Sequence, residues 1–164
     1  MSEVVEFTVP AMPVAQPAKQ VRIAKTKDGR AVPLVSTPEK HPVQSFKATC
    51  AMAARSAHPG APLDGPLQVA IQFIFQRGGK PAWITKHTPF WLEAWKGGCR
   101  VPYAVKKRHD RDNLMKSLQD ALNGIVWADD GLICCGPVEK WIAASDEQPH
   151  VWVRVEKLTG RVQS

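Results

Sequence analysis

The chain has 164 residues, 44% apolar and 23% charged, with 22 Lys and Arg against 15 Asp and Glu for a net charge of +7. This length suits one domain, residues 1–164, with a real hydrophobic core, and the composition excludes an intrinsically disordered chain. No apolar run approaches a membrane span. The start, Met1-Ser2-Glu3-Val4-Val5-Glu6, also lacks the basic and apolar regions of a signal peptide, so a cytoplasmic protein is expected. The excess of positive charge favours a polyanionic partner, because neutralising phosphates releases counterions.

Val4 to Val9 reads as a first strand, stopped by Pro10. Pro10, Pro13 and Pro17 follow, then a basic run of Lys19, Arg22, Lys25, Lys27 and Arg30. Asp28-Gly29 is a turn signal, so residues 19–35 form a hairpin or a mobile basic loop, either a solvated surface or a DNA-contacting arm. Thr37-Pro38 has the character of a helix start, with His41-Pro42 delaying it by a turn. Val43 to Ala57 then carries good helix formers up to Pro59-Gly60.

Leu67 to Phe75 is rich in β-branched and aromatic residues and reads as a central strand. Residues 77–107 read as a long irregular loop containing a short helix over Phe90 to Lys96. Its aromatics, Trp83, Phe90, Trp91 and Trp95, form a small satellite core, a dimer contact or a platform for unpaired bases. Asp112 to Asn123 has an apolar face at Leu114, Leu118, Ala121 and Leu122, with Asp112 as N-cap and Asn123-Gly124 as its end. Asp129-Asp130-Gly131 is a turn. Leu132 to Ala144 reads as a strand with a bulge or an edge position at Gly136-Pro137, and Val151 to Val155 closes the sheet, with a frayed tail from Gly160. The expected fold is a single compact α+β domain, a mixed sheet of about four strands against two main helices.

Cys50, Cys99, Cys134 and Cys135 form no C-x-x-C pair, and free thiols are expected. The chemistry concentrates elsewhere. Asp110, Asp112, Asp120, Asp129 and Asp130 fall close together in a basic chain. Alone, Asp112-Asn113 is a cap and Asp129-Asp130-Gly131 a turn. Together they suit a hard divalent cation such as Mg2+, which takes oxygen ligands and keeps several waters. In extended backbone, Asp110 and Asp112 point the same way. Asp130 joins them if a strand returns alongside the helix. Lys116 shares a helix face with Asp112 and Asp120. It either forms i,i+4 salt bridges or offsets charge on a scissile phosphate.

Arg108-His109-Asp110-Arg111-Asp112-Asn113-Leu114-Met115-Lys116, Asp120-Ala121-Leu122-Asn123-Gly124 and Asp129-Asp130-Gly131-Leu132-Ile133 resemble the RusA family of Holliday junction resolvases of bacteria and their phages. The likeness extends more loosely over nearly the whole chain. It implies a homodimer that cuts four-way junctions by paired symmetric nicks in DNA recombination and repair. It implies Mg2+, with Mn2+ able to substitute, held by Asp110, Asp112 and Asp130, and a catalytic lysine at Lys116. Lys106, Lys107, Arg108 and Arg111, with Arg22 on the basic arm, would hold the DNA backbone. Two departures stand out: His109 where the family often has proline, and a longer loop from Gly78 to Lys107. The rival readings are a branched-DNA-binding protein that never cuts and a nuclease acting on flaps or forks.

Overall fold

The computed structural model describes residues 3–36 and 38–160. Thr37 and the expected frayed end beyond Gly160 lie outside the described residues. In chain order the elements are β1 (Val4–Val9), β2 (Gln20–Lys25), β3 (Ala31–Ser36), α1 (Pro42–Ala57), β4 (Leu67–Phe75), α2 (Pro89–Lys96), β5 (Val101–Pro102), α3 (Arg111–Leu122), β6 (Ile133–Cys135), β7 (Val138–Ile142) and β8 (His150–Lys157). A 3-10 turn over Asp130–Leu132 precedes β6.

The main sheet runs β1-β8-β4-β7-β5, with β6 also on β4. β8 pairs antiparallel with β1 and β4, and β4 pairs parallel with β6 and β7. The sheet is therefore mixed, as expected, but wider than the four strands read from sequence. Two causes account for this. β5 lies within the segment taken as irregular, and Gly136-Pro137 divides one expected strand into β6 and β7. The pairing of β4 shifts just before that break, at Cys134, from Leu67 opposite Ile133 to Gln68 opposite Cys135. Proline offers no N–H to a ladder, yet the Pro137 carbonyl still accepts from Ile71 N at 2.9 Å.

Period-two alternation buries Val5, Phe7 and Val9 on β1, Leu67, Val69, Ile71, Phe73 and Phe75 on β4, and Val151, Val153 and Val155 on β8. Two amphipathic helices pack against this core. α1 contributes Val43, Phe46, Cys50 and Ala54, and α3 contributes Leu114, Leu118, Ala121 and Leu122. The cap of α1 is His41, whose Nδ1 accepts from Val43 N at 3.1 Å. The delayed start at His41-Pro42 thus prevails over the Thr37-Pro38 one.

The tryptophans of 77–107 build a satellite core, while Phe90 stays exposed. Ile84, Val101 and Ile142 are buried there, with Trp83, Trp91 and Trp95 packed against them. Arg77 fastens this core to the sheet. Its guanidinium lies 3.7 Å from the Trp95 ring and donates to the carbonyls of Cys99, Ala143 and Trp95. β2 and β3 form a separate two-stranded hairpin closed at Asp28-Gly29, settling the choice for 19–35 in favour of a hairpin. No helix of the described residues is long and apolar enough to cross a membrane.

Candidate active site

The chain reaches α3 through a bent loop. Lys107 and His109 both adopt left-handed backbone, at φ 60° and 49°. Such conformations cost roughly 1–2 kcal/mol each for residues with a Cβ, so the surroundings must hold them. The His109 ring packs 4.8 Å from Phe75 and 5.6 Å from Tyr103, and Phe75 stacks on Tyr103 at 4.2 Å. Lys140 on β7 donates from Nζ to the His109 carbonyl at 3.1 Å, while its own carbonyl accepts from Tyr103 N at 3.0 Å. The central strands thereby fix the turn that delivers Asp110. Burial, with the positive charges of Lys140 and Arg108, holds the His109 imidazole below its usual pKa.

Asp110 is the N-cap of α3, and its side chain makes no capping hydrogen bond. The helix starts one residue earlier than expected, so Asp112 lies within its first turn and is not the cap. Asp112 is helical, so the extended backbone expected to point Asp110 and Asp112 the same way is not formed. Both remain exposed at the N-terminal end of α3.

Lys116 stands one turn further along on the face of Asp112 and Asp120. The i,i+4 salt bridges that this spacing allows are not made. Asp120 pairs instead with Lys47 of α1 at 3.0 Å, tying the two helices together. Among the described residues Asp112 and Lys116 form no ion pair and are exposed.

Asp129 and Asp130 occupy the other end of α3. Asn123 and Leu63 both bridge to Trp127, and Ile133 lies opposite Leu67 at the start of β4. Asp129 acts as a cap, its Oδ1 accepting from Gly131 N at 2.7 Å, which is the turn role its sequence allowed. Asp130 is exposed beside it. A strand does return alongside the helix, but Asp130 lies at its beginning. What that strand carries to the start of α3 is Lys140, opposite Phe73 on β4. Six residues of strand separate Leu67 from Phe73, about 20 Å at the usual rise per residue.

The donor chemistry of these carboxylates suits a hard cation, since they are exposed oxygen ligands on a basic protein. Asp110 and Asp112 share one end of α3, and Asp130 does not join them. Among the described residues no group of three His, Cys, Asp or Glu could hold a metal ion. The pair fits a weakly held, largely hydrated ion; the trio does not form a shell within one protomer.

Lys106, Lys107, Arg108 and Arg111 are all exposed around the same turn, and Arg22 is exposed on the hairpin. A cavity of about 460 Å³ opens there, lined by Lys107, Arg108, His109, Asp110, Asn113 and Lys140 among others. Sequence reasoning missed Lys140, although a signal existed. In Val138-Glu139-Lys140-Trp141-Ile142, strand alternation puts a lysine between two apolar residues on one face. The four cysteines are free, with Cys50 buried and the others exposed.

No curated protein matches this chain. A family model described as endodeoxyribonuclease RusA matches residues 10–156, from the end of β1 nearly to the end of β8. That match takes in the Asp110 turn, α3, the Asp129-Asp130 turn and the strand bearing Lys140. The chain belongs to the RusA endodeoxyribonuclease family.

Proposed function

We propose that this chain is a structure-selective nuclease that resolves four-way DNA junctions by paired symmetric nicks. It acts as a homodimer in the cytoplasm of a bacterium, in recombination and repair, and depends on Mg2+, with Mn2+ able to substitute. The observation that carries this reading is the exposed, unpaired Asp112 and Lys116 on one face of α3, beside a turn of four cations, in a chain matched almost throughout by the family. An acid and a lysine at salt-bridge spacing that form no ion pair are free to meet a ligand.

In this reading, Lys116 offsets charge developing on the phosphate. Lys106, Lys107, Arg108 and Arg111 grip the backbone, and Arg22 extends the grip along the hairpin, adding affinity without reading bases. Asp110 and Asp112 would hold the metal, which would supply positive charge beside the phosphate under attack. The resemblance also counts Asp130, and Asp130→Asn tests whether it shares their role from the far end of the helix. A two-fold dimer matches a nearly two-fold junction, placing equivalent sites at opposed strands.

Asp112→Asn should abolish nicking of a four-way junction and leave junction binding intact. Loss of both in a folded variant would contradict a purely catalytic role. A wild-type protein that binds junctions without nicking them in Mg2+ or Mn2+ would be an architectural DNA-binding protein. Preference for flaps or forks would make it a different nuclease.

A further inference from the structure

We propose that the cavity in front of Asp110 is a phosphate-binding pocket, built around Lys140, that takes a backbone phosphate next to the one that is cut. The assignment to DNA rests on the nuclease reading; the affinity for phosphate does not. Lys107, Arg108 and Lys140 line the cavity with positive charge, against the single carboxylate of Asp110. The Asn113 side chain adds a neutral amide to the wall.

Lys140 is the telling residue. It is only partly exposed, and among the described residues it forms no ion pair. An ammonium carries three donors. One goes to the His109 carbonyl, and the Tyr103 ring stands 5.6 Å away on another side. The acid next to it in sequence, Glu139, is occupied elsewhere, accepting from Gln72 Nε2 at 2.9 Å and Trp141 Nε1 at 3.0 Å. Drawing a cation out of water without a counter-ion is costly. An arriving phosphate oxygen would supply the counter-charge and take up the remaining donor capacity. The bond to His109 also means that the same side chain holds the turn bearing Asp110, so Lys140 is a positioning residue as well as a phosphate contact.

The test uses the full chain in two arms. In the first, inorganic phosphate is titrated while backbone amide shifts are followed by NMR. Shifts centred on His109, Asp110 and Asn113 are expected in the wild type, lost in Lys140→Gln and restored in Lys140→Arg. In the second, junction binding is measured in chelator across a range of salt. Lys140→Gln should bind more weakly at every salt concentration, with the slope of log K against log [salt] shallower by about 1, the signature of one lost phosphate contact.

An unchanged slope and unchanged phosphate shifts in a Lys140→Gln protein of normal melting temperature would overturn the proposal. Should Lys140→Gln fail to fold, the wild-type phosphate titration decides the matter: no shifts at His109, Asp110 and Asn113 would overturn the pocket. A wild type that takes phosphate in this pocket but ignores junctions would keep the pocket and refute the nuclease reading. A wild type that cuts junctions with a phosphate-blind pocket would do the reverse.

Discussion

Gly136 separates β6 from β7 where both lie against the central strand, and replacing it with alanine has a cost that the geometry sets. Its φ is 129°, a conformation that side chains rarely adopt, and a Cβ there would stand 1.9 Å from the Val69 carbonyl oxygen and 2.5 Å from its carbon. The strained backbone costs about 1–3 kcal/mol. Because the obstacle is β4 backbone, the overlap cannot be relieved by a rotamer change, and displacing packed structure costs a further 1–3 kcal/mol or so. Together these give roughly 4 kcal/mol, or a fall in Tm of about 12 °C at ~3 °C per kcal/mol for a chain of this size. Gly124→Ala is the control. Its φ is 75°, and nothing lies within 4 Å of the added carbon, so only the backbone cost of about 1–2 kcal/mol remains. Both variants would be compared with wild type by calorimetry and by urea unfolding. A Gly136→Ala protein no less stable than Gly124→Ala would refute the close approach of the Gly136 turn to β4.

Other outcomes follow from the same geometry. The Lys47–Asp120 pair is exposed by 22% and 45% at its side chains, so Asp120→Asn should cost under about 1 kcal/mol after solvent screening and leave nicking intact; abolished nicking would place Asp120 in the catalytic machinery. Hydrogen bonds from Arg100, then from Ala144 N, hold the Glu147 carboxyl below its usual pKa despite partial burial. A depressed acid contributes stability above its unfolded pKa and loses it as pH falls through the folded value. Wild-type Tm should therefore drop as the pH is lowered below about 4.5, the ordinary glutamate value, and Glu147→Gln should flatten that drop; an equal slope in both proteins would contradict the assigned pairing. Burial pushes the Cys50 thiol up to about 12, whereas Cys99, Cys134 and Cys135 are exposed. A thiol reagent should titrate three cysteines in the native protein and the fourth only on unfolding; four reactive thiols in the folded chain would contradict the packing of α1.

Much of this fold was legible because its strands and helices bury one face each. β4, β8, α1 and α3 all announce themselves by apolar period. What escaped was set by tertiary context. β5 is two residues long and exists only because β7 offers it an edge. The cap of α3 stands two residues earlier than expected because Asp110, rather than Asp112, ends the bent loop. At the candidate site, the resemblance brought out Asp110, Asp112 and Lys116, and these share one end of α3. It could not show that Asp130 lies at the other end, since that depends on which part of the returning strand passes the helix start. The same strand brings in Lys140, a residue that stands ten positions after Asp130 in the chain. Its only sequence mark was a charge on an apolar strand face.

The nuclease reading meets its most direct test in a synthetic four-way junction, end-labelled on each strand in turn. It would be incubated with the protein in Mg2+ and in chelator, beside linear duplex and forked controls. The expected result is a pair of symmetric nicks on opposed strands, confined to the junction and absent in chelator. Stable junction binding with no nicks in either Mg2+ or Mn2+ would contradict it and make the chain an architectural DNA-binding protein.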